Sequence, residues 1–151
     1  MSGRQPLETN NPRSAVLGDG VSDPEVAHAH FVAKLSVETD PSDVHRNMEK
    51  GVDAFTLVDV RHPAQFRECH IRGAVNIPAL AISPTTTQRL DRPTLVIVHC
   101  WGPGCNGASK AAARLSALGF RVKEMIGGIE YWRRESFPVE GTLGNDAPLV
   151  G

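Results

Sequence analysis

Long apolar runs are missing from this 151-residue chain, and none of its segments approaches the roughly 18 apolar residues that a membrane-spanning helix needs. The opening stretch, "MSGRQPLETNNPRSAVLGDG", has no apolar core of signal-peptide length, so a cytoplasmic location and no membrane partner are expected. An excess of charge is missing too. Sixteen Lys and Arg stand against 17 Asp and Glu, and the net charge of −1 leaves no electrostatic case for binding nucleic acid, which calls for a clustered basic surface. Cysteine is scarce. Three is an odd count and too few for a disulfide scaffold, and it suits a reducing compartment. Internal repeats and low-complexity tracts are absent as well. With 40% hydrophobic and 22% charged residues, the chain has the composition of one globular domain.

Residues 1–22 are rich in Gly, Asn, Pro, Ser and Asp without an apolar period, which predicts a flexible tail ahead of a single domain over 23–151. Asp23-Pro24 and Asp40-Pro41 each read as a helix start, with Asp as N-cap and Pro at the first helical position. The first helix places Val26, Ala29, Ala33 and Val37 roughly along one face, and the second is stopped by Gly51. "FTLVDV", "AVNIP", "TLVIVH" and "RVKEMI" read as strands, interleaved with a helical turn opened by Pro63, an alanine-rich helix ending at Gly119, and a short helix in "IEYWRRES". This alternation predicts an α/β fold in three layers, a mostly parallel central sheet with helices on both faces. Ligands in such sheets bind outside the carboxyl ends of the strands. Cys100 sits at one of those ends.

The loop that follows, Trp101-Gly102-Pro103-Gly104-Cys105-Asn106-Gly107, must turn sharply from strand into helix, which its glycines permit and Pro103 stiffens. Amides aimed inward at the positive end of a helix form a concavity that favours anions, and a thiol held there is expected to ionise more easily than usual. Cys100 is thus the candidate nucleophile. Cys105 can be brought near it only if the loop is truly curled, since five extended residues would span ~17 Å. His28, His30 and His45 are expected on helix surfaces, and strand alternation points His99 away from the Cys100 side chain. The Cys69-His70, His99-Cys100 and Cys105 positions lack the paired short spacings of a structural zinc site, so no metal is expected.

"LVDVRHPAQFRECHIRGAVNIP", a strand ending in Cys, and then "GGIEYW" together resemble the rhodanese-like domain family, from about Phe55 to Gly141. The resemblance implies a sulfurtransferase fold without a cofactor, in which a loop cysteine carries sulfur as a persulfide from a small-molecule donor to a thiophilic or protein-thiol acceptor. It makes Cys100 the nucleophile and Trp101 to Asn106 the loop whose amides cradle the outer sulfur. Asp59, His70, Gly127, Gly128 and Trp132 become structural motif residues. Arg61 becomes an accessory near the site rim, and a monomer is expected.

The sequence departs from the family pattern in three places. Cys69 stands where a glycine usually precedes the His, the loop looks longer than in short-loop members, and no Arg or Lys occurs between Cys100 and Lys110. Many thiosulfate-using members place a cation there, so this sequence predicts poor use of thiosulfate. A related phosphatase loop, Cys-x5-Arg, would need arginine at 106, where Asn106 stands. The alternative reading is a thiol redox protein or sensor using Cys100 and Cys105, with the second thiol resolving adducts on the first. A non-catalytic binding module fits less well, because the cysteine and its glycine-rich cradle are both kept.

Overall fold

The computed structural model describes residues 3, 5–52 and 54–150, so residues 1, 2 and 4 of the expected tail and the last residue of the expected domain lie outside the described residues. The chain forms two compact units, 1–36 and 37–151. In the first, residues 5–22 contain no helix or strand but turn back on themselves through Gly18 N–H to the Ser14 carbonyl (2.7 Å) and Val21 N–H to the Thr9 carbonyl (2.8 Å). Helix α1 follows, Pro24–Val37. Its apolar residues are spread around the helix, and none of its side chains is buried, contrary to the single apolar face expected from Val26, Ala29, Ala33 and Val37. The spacing of those four is only loosely helical, and Phe31, Val32 and Leu35 fill the other faces.

The second unit is built on a five-stranded, all-parallel sheet. Its strands are β1 (Glu38–Thr39), β2 (Phe55–Asp59), β4 (Val75–Asn76), β5 (Leu95–His99) and β6 (Val122–Met125), in the spatial order β1-β6-β5-β2-β4. A separate antiparallel pair joins β3 (His70–Ile71) to β7 (Val139–Glu140). Helices α2 (Pro41–Glu49), α3 (Pro63–Glu68), α4 (Gly107–Ala117) and α5 (Gly128–Arg134) complete it. The start of α2 is as the sequence predicts, with the Asp40 side chain accepting from Asp43 N–H at 2.8 Å.

Strand alternation sorts the core into two halves. Val58, Val96, Val98 and Cys100 meet Ala108, Ala111 and Leu115 of α4 on one face. Leu57, Ile97 and Met125 meet Val44 of α2 and Ile129 and Trp132 of α5 on the other. The three-layer α/β architecture predicted from the sequence is the one that forms. His45 is a correction: it stacks on Phe137 at 4.0 Å and meets Trp132 edge-on at 5.6 Å instead of lying on the helix surface. Its partners arrive from far along the chain, where helical periodicity carries no information.

Next to β5, the end of β2 turns a charge pair inward. The Arg61 guanidinium grips the Asp59 carboxylate through Nε at 3.0 Å and Nη2 at 2.7 Å, and Nη2 also donates to the Cys69 carbonyl at 2.5 Å. Both residues are buried. Such a pair is worth little against an apolar replacement, but removing one partner strands the other charge. We therefore expect Arg61→Met to lose about 3–5 kcal/mol in urea unfolding, and Asp59→Asn added to it to restore part of that loss. A loss near zero for the single variant would refute the stranded-charge account.

Candidate active site

Strand β5 ends at His99, and the chain then curls exactly as the loop's composition demands of a tight turn: Cys105 N–H donates to the Gly102 carbonyl at 3.0 Å. The outer wall is fixed by α5. Ile129 N–H donates to the Cys100 carbonyl at 3.1 Å and Glu130 N–H to the Trp101 carbonyl at 2.8 Å. A trans peptide points its C=O and N–H in opposite directions. Anchoring the Cys100 carbonyl on α5 therefore turns the Trp101 N–H the other way, towards the two sulfurs, where it favours the thiolate form of Cys100 and of Cys105.

The approach of loop and helix is close enough to exclude a side chain. Gly128 has φ +62°, and a Cβ there would lie 2.5 Å from the Trp101 carbonyl carbon and oxygen. Glycine is required twice over, for conformation and for space. Gly107 is constrained by space alone: a Cβ on it would lie 3.0 Å from Cys100 Sγ and 3.3 Å from Cys105 Sγ. Both sulfurs thus converge on the first turn of α4.

The sequence expectation that Cys100 is the acidified thiol is not what this geometry produces. Cys100 is only 7% exposed, and burial, followed by its hydrogen bond to Cys105, pushes its thiol up to about 12. Burial alone would raise Cys105 as well, but the hydrogen bond from Cys100, the Gly107 and Trp101 amides and the Lys110 charge bring it below the ordinary thiol value. Within the pair Cys105 is the more acidic thiol, and Cys100 keeps its proton to higher pH. The Cys105 amide is likewise not part of the expected cradle, because it is spent on Gly102.

The other predicted residues divide clearly. Arg61 is not at the rim: it is buried behind the loop, its guanidinium 4.7 Å from the centre of the Trp101 ring. Asp59 holds that arginine. His70 stacks on Phe66 at 3.9 Å and contacts the Phe66 carbonyl at 2.7 Å, and Trp132 is buried with its indole N–H on the Pro138 carbonyl at 3.0 Å. Cys69 is buried in the opposite half of the core from Cys100, and burial raises its thiol. His99 is fully buried with Nδ1 3.1 Å from the Cys100 carbonyl, and burial lowers its pKa, so it is a neutral ring under the strand end.

Cys100 and Cys105 open into a groove of about 1090 Å³. The loop, Gly127, Gly128 and Tyr131 line it together with three carboxylates, Glu38, Asp40 and Glu124. Among the described residues, none lining the groove is a lysine or arginine. Sequence reading missed these carboxylates, since they come from β1, the cap of α2 and β6, and only the fold brings them together.

A parallel sheet with a two-cysteine loop at a strand's carboxyl end, braced by a Gly-Gly helix start, defines an α/β domain built around a thiol pair. The chain belongs to the rhodanese-like domain family, whose match covers residues 40–135. It is 50% identical to the BH2092 protein of Bacillus halodurans, whose crystal structure superposes with a TM-score of 0.84 over 85% of this chain and 94% of that one. It is 36% identical over 91 residues to the thiosulfate sulfurtransferase GlpE of Pseudomonas putida, 59% of this chain and 78% of GlpE. It is also 28% identical over 125 residues to the HTH-type transcriptional regulator Rv0324 of Mycobacterium tuberculosis, covering 83% of this chain but spanning only 54% of the regulator.

Two outcomes follow from this geometry. Iodoacetamide, which reacts with thiolates, should label Cys105 before Cys100 and at lower pH, because the lowered pKa of Cys105 exposes its thiolate first. Peptide mapping that finds Cys100 labelled first at neutral pH would reverse the assignment of charge within the pair. Gly128→Ala should displace the Trp101 peptide and slow any chemistry at Cys100 by roughly tenfold or more, as a shift of about 1 Å in a positioned group does.

Proposed function

We propose that the protein is a sulfurtransferase that carries sulfur as a persulfide on Cys100. The observation that carries this reading is the buried Cys100 sulfur at the end of β5, touching the Trp101 amide and opening into the groove. Sulfurtransferase relatives of the same family support it. As a donor enters, the Cys105 thiolate takes the Cys100 proton. The Cys100 thiolate then attacks the donor's sulfane sulfur, the donor's S–S bond breaks, and its remaining sulfur leaves as a thiolate or sulfite-type anion. An acceptor thiolate attacks the outer sulfur next and departs with it, and Cys100 recovers its proton from Cys105. The Trp101 amide supports each anionic stage at Cys100 without reorganising. Reduced thiols with these roles suit the cytoplasm.

The donor is a neutral or positively charged sulfane compound, or a persulfide presented by a protein. A dianion such as thiosulfate meets Glu38, Asp40 and Glu124 with no cation lining the groove to hold its sulfonate.

Cys100→Ser should abolish both the mass gain of one sulfur atom and thiocyanate formation from cyanide. Undiminished turnover in that variant would end the proposal. For thiosulfate, kcat/KM should lie well below roughly 10⁶ M⁻¹s⁻¹, and Asn106→Arg or Glu124→Gln should raise it. Thiosulfate turnover at or above that level in the natural protein contradicts the electrostatic argument.

A further inference from the structure

We propose that Cys105 resolves the Cys100 persulfide, expelling the outer sulfur as hydrosulfide and closing a Cys100–Cys105 disulfide, so that the protein also reduces sulfane sulfur with thiols. This rests on Cys100 being the sulfur carrier. Cys105, which holds the proton taken from Cys100, first passes it to the outer sulfur; the step is then Cys100–S–SH plus Cys105–S⁻ giving Cys100–S–S–Cys105 plus HS⁻. One S–S bond forms and one breaks, the sulfane sulfur takes up two electrons, and the two cysteine sulfurs give them up. Two equivalents of a low-molecular-weight thiol then reopen the disulfide and leave as their own disulfide.

Position selects the atom attacked. Both sulfurs converge on Gly107, where a Cβ would lie 3.0 Å from Cys100 Sγ and 3.3 Å from Cys105 Sγ, so Cys105 Sγ sits beside Cys100 Sγ, which becomes the inner sulfur of the persulfide. The outer sulfur extends away towards the groove that both cysteines line. Leaving-group basicity points the same way. For Cys105, which lies beside the inner sulfur, attack there expels hydrosulfide, a weaker base than the buried Cys100 thiolate, whereas an acceptor entering from the groove meets the outer sulfur because Cys100 is only 7% exposed.

The loop is shaped for closure. Its turn from Gly102 to Cys105 folds the second cysteine back, which meets the need of a disulfide for nearby Cα atoms. Gly107 keeps the space between the sulfurs clear. Its φ is not in the left-handed region, so its lack of a Cβ is a matter of room. Cys105 is the more exposed of the two, so the closed disulfide stays within reach of thiols entering the groove.

The test loads wild-type, Cys105→Ser and Cys100→Ser proteins to completion with cysteine persulfide, desalts them rapidly, and follows intact mass and released hydrosulfide. Wild type should lose its added sulfur with stoichiometric hydrosulfide release and end two hydrogens lighter than the reduced protein. Its added sulfur should survive roughly tenfold longer or more in Cys105→Ser, on Cys100. Equal survival in both proteins overturns the proposal while leaving Cys100 as carrier, and so does added sulfur mapped to Cys105. If neither wild type nor Cys105→Ser takes sulfur on Cys100, the carrier reading and the proposal fall together.

Discussion

The arrangement of the cysteine loop depends on two hydrogen bonds made by the start of α5, from Ile129 N–H to the Cys100 carbonyl and from Glu130 N–H to the Trp101 carbonyl. They fix the planes of two successive peptides, and plane orientation is what decides whether loop amides face the sulfurs or face away. The bracing in turn requires Gly128, because a side chain there would occupy the space of the Trp101 carbonyl. From behind, the Arg61 guanidinium lies against the Trp101 ring and is itself held by the buried Asp59. Motif segments separated by some seventy residues in sequence are thus parts of one mechanical assembly around the loop.

The same burial that positions Cys100 also works against its ionisation. A lone buried thiol would be a poor nucleophile, since the thiolate is the reactive form. Cys105 answers this with a more acidic thiol at a less buried position, beside the sulfur that needs it. In the proposed function, moving a single proton between the two sulfurs makes Cys100 reactive with no net charge brought into the core. Outside the pair, Glu38, Asp40 and Glu124 line the groove, and under the proposed function their field disfavours an anionic donor.

How much of this was legible follows from the range of each signal. β2 and β5 are continuous apolar runs, and the helix starts at Asp40 and the loop-to-helix switch at Gly107 are local punctuation, so the sequence displays them directly. β1, β3 and β7 have two residues each, too short for any period, and exist only because a partner strand lies alongside. The cysteine loop and its curl were readable from Gly102, Pro103 and Gly104. The distribution of charge within the pair was not, because it depends on how deeply each sulfur is buried after folding. For the same reason the carboxylates of the groove and the stacking of His45 on Phe137 left no trace in local pattern.

The longer loop acquires its meaning at the start of α4. Asn106 occupies the N-cap position, yet its side chain makes no capping bond. Instead Gly107 N–H donates to Cys105 Sγ at 3.4 Å, so a sulfur does what a cap oxygen ordinarily does. A thiolate is a better acceptor than a thiol and would lie at the positive end of the helix dipole, so the helix start favours ionisation of Cys105. Closing a disulfide would remove that charge and weaken the cap. The helix start therefore favours the reduced, charged pair over the oxidised one, and returning to the open state regains a helix contact that the closed state gives up.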